Sequence, residues 1–328
     1  MRRRRFGTTE LMASEIAFGT WALGSDWWGE TDPPDRLIGR ALELGVTFFD
    51  TGDAYGQGLN EEIVGRALRT VDRDSIQIST KFGYELRSDR RQHSEGERRQ
   101  NWSPEHARAA LEASLERLGT DHVDLYQLHN PRMDAIDRDD LFAELESLRD
   151  QGKLREYGVA LGPAIGWREE GLRALTERRV SAFQTVYNLL EQSPGADFLE
   201  EGAGTGAGIM ARVPTSSGLL EDKYTPETTF SGNDHRRHRK REWLIEGLQK
   251  VERLRFLAIP GERTMTQAAL RFILAQPAIA CVVPTVTTVA ELEEFAGAAA
   301  APDLTPAELD SIAELVARGF DIEPVAAS

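Results

Sequence analysis

Short apolar runs and amphipathic helical stretches alternate along this chain, and that alternation limits its fold more than any other feature. The runs lie at 15–20, 46–49, 76–81, 123–129, 157–161, 182–188, 209–213 and 279–284. They are mostly continuous in aliphatic, β-branched and aromatic residues, as strands covered on both faces are. Between them, apolar residues recur at helical spacing. Leu37, Ile38, Ala41 and Leu42 follow Pro33-Pro34; Ile63, Val64, Ala67 and Leu68 follow a capping Asn60; Leu111, Leu115 and Leu118 follow Ser103-Pro104. Further helices are expected over 139–151, 169–178, 242–257, 264–276, 289–300 and 305–317, the last opened by a capping box at Thr305-Pro306-Ala307-Glu308. No helix is assigned between 182–188 and 209–213. Residues 6–13 read as a short strand pair or coil, and 85–102 and 221–241 as long polar loops.

Strand–helix alternations of this kind predict parallel strands closed into a (β/α)8 TIM barrel, one α/β domain over residues 1–328 with long loops at its C-terminal face. A doubly wound sheet would carry a glycine fingerprint after its first strand. The nearest match, Gly206-Ala207-Gly208-Ile209-Met210-Ala211, precedes a strand instead and reads as a turn on the opposite face.

Three successive runs end in acid–base groups: Asp50, Lys81 and His129, with Tyr55 five residues beyond Asp50. A carboxylate at the end of a buried strand is costly unless a cation meets it. In a parallel barrel these ends share the edge that carries catalysis. Asp50 with Lys81 has a purely structural reading as a buried ion pair. The set of four suits proton transfer to a carbonyl oxygen while hydride comes from elsewhere. A tyrosine is a feeble acid near neutral pH, and a neighbouring Lys⁺ favours the phenolate. Asp50 would keep Lys81 charged and aimed, and His129 could donate to the same oxygen.

Composition narrows the partners. The chain has 328 residues, with 39 basic and 54 acidic side chains and a net charge of -15, which argues against nucleic acid or an anionic membrane. Its single cysteine, Cys281, excludes a disulfide framework or a cysteine-based metal site, and the other histidines lack ligand spacing, so no metal is expected. Arg2 to Arg5 are not followed by the apolar segment of a signal peptide. No run approaches the roughly 18–20 apolar residues of a membrane span. A reducing cytoplasm is the expected location, and the short lead before the first strand carries no evident interaction segment.

The motifs around these groups resemble the aldo-keto reductases. The matching stretches are Phe49-Asp50-Thr51-Gly52-Asp53-Ala54-Tyr55-Gly56, Ser79-Thr80-Lys81 and Asp121-His122-Val123-Asp124-Leu125-Tyr126-Gln127-Leu128-His129, with Arg117-Leu118-Gly119-Thr120, Pro214 and Gly218-Leu219-Leu220. The resemblance spans essentially the whole chain. It implies a (β/α)8 fold and nicotinamide-dependent reduction of an aldehyde, ketone or sugar-like carbonyl, with Tyr55 as general acid. It also implies that Gln184 holds the nicotinamide carboxamide, beside Gly19, Thr20, Trp21 and Asp50. Arg212 stands where many members have a stacking tyrosine, and Pro214, Ser216, Ser217, Gly218 and Leu219 belong to the segment over the pyrophosphate. Ala160 and Leu161 replace the usual serine and asparagine.

After the last strand, Thr285 and Glu291 occupy the adenosine region. No basic residue lies between 284 and 295, and Glu291 falls where an arginine often sits. There an acid would repel a 2′-phosphate and accept from a ribose diol. The resemblance favours NADP(H) slightly over NAD(H), with Arg236 to Arg241 as an alternative phosphate clamp. The bland reading of 235–241 is a solvated helix start, and that of 87–99 a solvated loop face. Trp21, Tyr55 and His129 are the expected substrate contacts, with Trp27 and Trp28 as possible additions. The competing reading is a binding module that keeps the fold and a nucleotide but turns over little, as potassium-channel β-subunits do. The substrate is a small carbonyl compound in the first reading.

Overall fold

The computed structural model describes residues 1–24, 28–86, 99–162, 167–230, 232 and 234–322. Arg3–Arg5 (β1) and Met12–Ser14 (β2) form an antiparallel hairpin. The barrel strands follow: Phe18–Gly19 (β3), Phe48–Asp50 (β4), Gln77–Phe82 (β5), Val123–His129 (β6), Leu154–Ala160 (β7), Ala182–Val186 (β8), Gly208–Arg212 (β9) and Ile279–Val283 (β10). Every neighbouring pair in this eight-stranded sheet is parallel, in sequence order. The seam between first and last strands is closed by parallel bridges Ile16↔Val282 and Gly19↔Thr285. The expected (β/α)8 barrel is therefore the observed fold.

The helices are Pro34–Glu43 (α1), Leu59–Leu68 (α2), Pro104–Leu118 (α3), Met133–Ile136 (α4), Asp139–Asp150 (α5), Arg168–Thr176 (α6), Gly195–Thr205 (α7), Arg241–Arg253 (α8), Met265–Leu274 (α9), Val289–Gly297 (α10) and Pro306–Ala317 (α11). Several begin where local chemistry tells them to. Ser103 accepts from the His106 amide at 3.2 Å, with Pro104 in the first turn of α3. Thr305 and Glu308 form the reciprocal capping box of α11.

Two expectations fail locally. Asn60 is not the cap of α2: Gly58, at φ 88°, precedes the helix, and Asn60 lies buried inside it with Nδ2 donating to the Thr20 carbonyl at 2.6 Å. That bond ties α2 to the loop after β3. Helix α7 was not anticipated, because Gly195, Gly202 and Gly204 lower its intrinsic propensity. Packing supplies what propensity lacks: a Cβ at Gly202 would sit 2.7 Å from the Ile209 side chain, so this glycine permits close approach to β9.

The N-terminal hairpin closes the lower end of the barrel. Phe6 is fully buried and stacks on Phe48 with ring centroids 5.5 Å apart, within an interior cluster that includes Leu125, Met210 and Cys281. The 206–208 turn lies there, as expected. The Thr8 amide donates to the Gly206 carbonyl at 2.9 Å, and a Cβ at Gly7 would come within 2.1 Å of the same oxygen. With that end filled, ligands have access only from the C-terminal edge. No helix of the described residues is long and apolar enough to cross a membrane, and among them no cluster of metal-ligating side chains occurs.

Candidate active site

Parallel register brings the strand ends together. Asp50 pairs with Ser79, Lys81 with Gln127, and His129 with Ala160, so three successive strands stop on one edge. Lys81 is fully buried, with Nζ 2.7 Å from Asp50 Oδ2 and 2.6 Å from the Thr51 carbonyl. Its ammonium lies 4.9 Å from the centroid of the Tyr55 ring. Burial pulls Lys81 toward neutrality, but the Asp50 carboxylate and the Tyr55 hydroxyl outweigh it and hold Lys81 above the usual lysine value. The other oxygen of Asp50 accepts from Ser79 at 2.9 Å and from Gln127 at 3.3 Å. His129 meets Tyr55 edge to face at 5.4 Å and Tyr84 at 5.1 Å. The four residues singled out from sequence thus form one cluster.

Beneath it lies a second layer that sequence reasoning did not find. Glu61, wholly buried, accepts from Arg117 Nε at 2.7 Å and from Thr80 Oγ1 at 2.5 Å. Asp53 is buried beside it, with its amide donating to the Lys81 carbonyl at 3.2 Å and its Oδ1 lacking a hydrogen-bond partner among the described residues. Burial, then repulsion from Glu61, pushes the Asp53 carboxyl well above the usual carboxylate range. The signal was present in Asp53 and Glu61, eight residues apart around one turn, but a turn hides which acids meet.

Above the strand ends opens a cleft of about 240 Å³. Its walls include most of the expected contacts: Gly19, Thr20 and Trp21, then Asp50 and Tyr55, then Gln184 and Arg212, then Pro214, Ser217 and Gly218, with Thr285 and Glu291 at the far end. Ser216 and Leu219 turn elsewhere. Ser216 Oγ donates to Glu191 at 3.0 Å, and Leu219 is buried against Gly247 of α8. Gln184 Nε2 donates to Asp50 Oδ2 at 3.1 Å, and Arg212 Nη2 to the Leu161 carbonyl at 2.9 Å, so Leu161 contributes backbone where a polar side chain was usual. Three buried polar atoms on the cleft wall, Thr20 Oγ1, Trp28 Nε1 and Arg212 Nε, have no hydrogen-bond partner among the described residues.

The loop beyond β9 is held in an uncommon shape. Val213, Ser216 and Ser217 have φ of 54°, 50° and 58°, followed by Gly218 at 98°. Left-handed backbone at non-glycine residues costs about 1–3 kcal/mol each and persists only when its surroundings enforce it. Here Asn188 Nδ2 donates to the Val213 carbonyl at 2.9 Å, and Tyr224 Oη to that of Ser217 at 2.9 Å. Gly218 is required, since a Cβ there would lie 2.4 Å from Tyr224 Oη.

The segment after β10 differs from expectation. Glu291 does not stand open as an acceptor. Its Oε2 accepts from the Thr287 amide at 3.0 Å and hydroxyl at 2.5 Å, while Oε1 pairs with Lys223 at 3.0 Å. Burial pushes Glu291 up, but Lys223 and Thr287 outweigh it and lower the carboxyl below its usual value. The mirror effect applies to Lys223: burial lowers it, and Glu221 and Glu291 more than compensate. Lys223 is therefore a cation of this cleft supplied by the polar loop, not by the segment after β10. The solvated-helix reading of 235–241 holds for Arg237 to Arg241, which are exposed, but not for His235 and Arg236, which are half-buried. His235–His238 is a 3-10 turn folded over the cleft, and α8 starts only at Arg241. His235 lies 4.1 Å from Trp28 and 5.3 Å from Trp21, ring to ring. Arg236, half-buried, chelates Asp234 and sits 5.1 Å from the rings of both Trp28 and Phe230. Trp27 and the arginines of 87–98 fall outside the described residues.

The Aldo/keto reductase family model matches residues 15–317. Aldo-keto reductase YhdN of Bacillus subtilis is 32% identical over 289 residues, covering 82% of this chain and 80% of that protein. Aldo-keto reductase AKR11C1 from Bacillus halodurans, in its holo form, superposes with a TM-score of 0.76 at 29% identity over 96% of each chain. Glycerol dehydrogenase AKR11B4 from Gluconobacter oxydans gives a TM-score of 0.81 at 25% identity over 99% of each chain. With the barrel closed, the acid–base cluster at its C-terminal edge and a family match across nearly its whole length, the chain belongs to the aldo/keto reductase family and is an oxidoreductase of carbonyl substrates that works with a nicotinamide cofactor.

Proposed function

We propose that the protein reduces an aldehyde, ketone or sugar-like carbonyl, with Tyr55 as the proton donor and NADP(H) as the preferred dinucleotide. The observation that carries this reading is the buried Lys81–Asp50 pair packed against the ring of Tyr55 on the wall of the cleft. A nicotinamide dinucleotide, when bound, supplies the hydride. The donor set fits such a group: polar atoms of Thr20, Trp28 and Arg212 without partners among the described residues face the cleft, Gln184 offers an amide, and Lys223 and Arg239 bring positive charge. The left-handed 216–218 backbone lets the main chain approach closely.

The protein's own residues then have distinct work. Tyr55 gives its proton to the carbonyl oxygen. The Lys81 ammonium, kept charged by Asp50, stabilises the negative charge left on the Tyr55 oxygen. Ser79 and Gln127 hold Asp50 in place, so the ammonium cannot swing away. His129 donates to the substrate oxygen, and Trp21 and Trp28 wall the pocket and exclude water. Ala160 contributes apolar packing, and Leu161 steadies Arg212 through its carbonyl.

Steady-state reduction of a carbonyl panel with NADPH and NADH, compared between wild type and Tyr55→Phe, tests the proposal. Turnover should fall by roughly 10²–10⁴-fold in the variant, with cofactor affinity retained. Near wild-type kcat in Tyr55→Phe rejects the tyrosine mechanism. Failure of cofactor-loaded wild type to oxidise reduced nicotinamide with an activated nitrobenzaldehyde favours the binding-module reading.

A further inference from the structure

On the outer side of the loop that covers the cleft lies a second concavity, of about 180 Å³. Four cations line it, Arg237, Arg239, Lys240 and Arg241, between the rings of Phe230 and Trp243. This is a conspicuous concentration in a chain of net charge -15. Their hydrogen bonds do not neutralise them. Arg237 Nη1 donates to the Gly232 carbonyl at 2.7 Å and Arg241 Nη1 to that of Thr228 at 2.8 Å. Arg239 reaches the Ser217 hydroxyl at 3.5 Å and lies 5.2 Å from the Trp243 ring. Among the described residues no carboxylate forms an ion pair with any of the four, whereas their neighbour Arg236 is fully engaged by Asp234.

Two further features favour an anion here. Helix α8, 13 residues long, starts at this point with Lys240 as N-cap and no side chain capping its first amides. Those amides carry the positive end of the helix dipole. Phe230 and Trp243, 6.2 Å apart, wall the concavity with apolar rings, and a lower local dielectric strengthens each guanidinium–anion attraction.

We propose that this concavity binds the phosphate group of a small phosphorylated molecule. Its volume admits a phosphate with a small organic group attached, and planar guanidiniums match phosphate oxygens by paired hydrogen bonds. Arg239 lines both this concavity and the cofactor cleft. A phosphate on the outer side draws its guanidinium away from Ser217, so the two ligands weaken each other. That coupling rests on the function proposed above; phosphate binding itself does not.

Calorimetric titration of the full-length, cofactor-free protein with inorganic phosphate at low ionic strength tests the site. Binding should be saturable and should weaken by about tenfold or more in Arg237→Ala/Arg241→Ala, as expected for lost charge-assisted bonds. Because those two arginines also brace the loop, Lys240→Gln serves as a second variant. The Lys240 ammonium makes no hydrogen bond or ion pair among the described residues, whereas the Lys240 carbonyl, which the variant keeps, accepts from the Trp243 amide at 3.1 Å; loss of the ammonium should still weaken phosphate several-fold. Wild-type affinity in both variants overturns the proposal. So does displacement of phosphate by chloride at matched ionic strength. Tighter binding of phenyl phosphate identifies an organic phosphate as the ligand, and equal binding identifies free phosphate. In protein saturated with NADPH the site should bind phosphate several-fold more weakly, and phosphate should raise the NADPH dissociation constant by the same factor. Complete loss of phosphate binding in that complex, with the variants unaffected, would mean that phosphate had occupied the cofactor cleft. A protein that takes up phosphate as described but not NADPH keeps the site and refutes the function.

Discussion

Asp53 behaves unlike its neighbour Asp50, three residues away. Asp50 has four hydrogen-bond donors around it, whereas Asp53 faces Glu61 across a buried space with Arg117 already committed to Glu61. With its carboxyl raised by burial and by Glu61, folded Asp53 keeps a proton that the unfolded chain releases in the ordinary carboxylate range. The native state thus binds more protons above about pH 4, so this residue lowers stability as pH rises toward its raised value, by at most about 1.4 kcal/mol per pH unit. Asp53→Asn mimics the protonated form. The difference in urea midpoint between the variant and wild type should grow in favour of the variant from about pH 5 to about pH 7. A constant difference would show that Asp53 is already ionised. Asp50, Tyr55, Lys81 and His129 were legible because strand ends announce themselves by an abrupt change from apolar to charged. Asp53 was not, because within a turn the sequence does not reveal which acid points inward.

At the scale of elements, the strands and most helices could be read from periodicity and caps, and α7 could not, since its glycines serve packing against β9 instead of helix propensity. The loop of residues 221–241 was harder still. Its polar composition suggested solvent, yet His235 and Arg236 fold it down onto Trp28, far away in sequence, while Tyr224 bonds back to Ser217. Lys223 reaches Glu291 of α10 only because of that folding, and this changes the expected cofactor chemistry. A 2′-phosphate placed near Glu291 would meet a lysine as well as an acid. Lys223→Ala should therefore weaken NADPH by about tenfold or more, the scale of a lost charge-assisted bond, and NADH by much less. Dissociation constants from cofactor fluorescence decide the matter: equal losses would place Lys223 at the pyrophosphate, and tighter NADH binding by wild type would revive the acid-selected reading.

For the whole molecule, net charge and local potential point in opposite directions. A protein of charge -15 should repel an anionic dinucleotide, yet Lys223, Arg236 and Arg239 line the cleft, and Arg237, Lys240 and Arg241 lie beside it without carboxylate partners among the described residues. At short range the local cations should dominate, so NADPH association measured by stopped flow should slow several-fold from about 50 mM to about 0.5 M salt, as the screening length shrinks. Acceleration with salt would mean that the overall charge governs encounter. The seam of the barrel has a consequence of another kind. Bridges between residues 16 and 282 and between 19 and 285 join the first strand to the last, and Thr285, Thr287 and Glu291 complete the cleft wall. During synthesis, β3 and β9 must wait with open edges until most of the polypeptide has emerged. A nascent chain that still lacks β10 is then the species most exposed to wrong pairing, and it has no cofactor cleft that a dinucleotide could stabilise. Cofactor can rescue this protein only once β10 and α10 have joined the barrel.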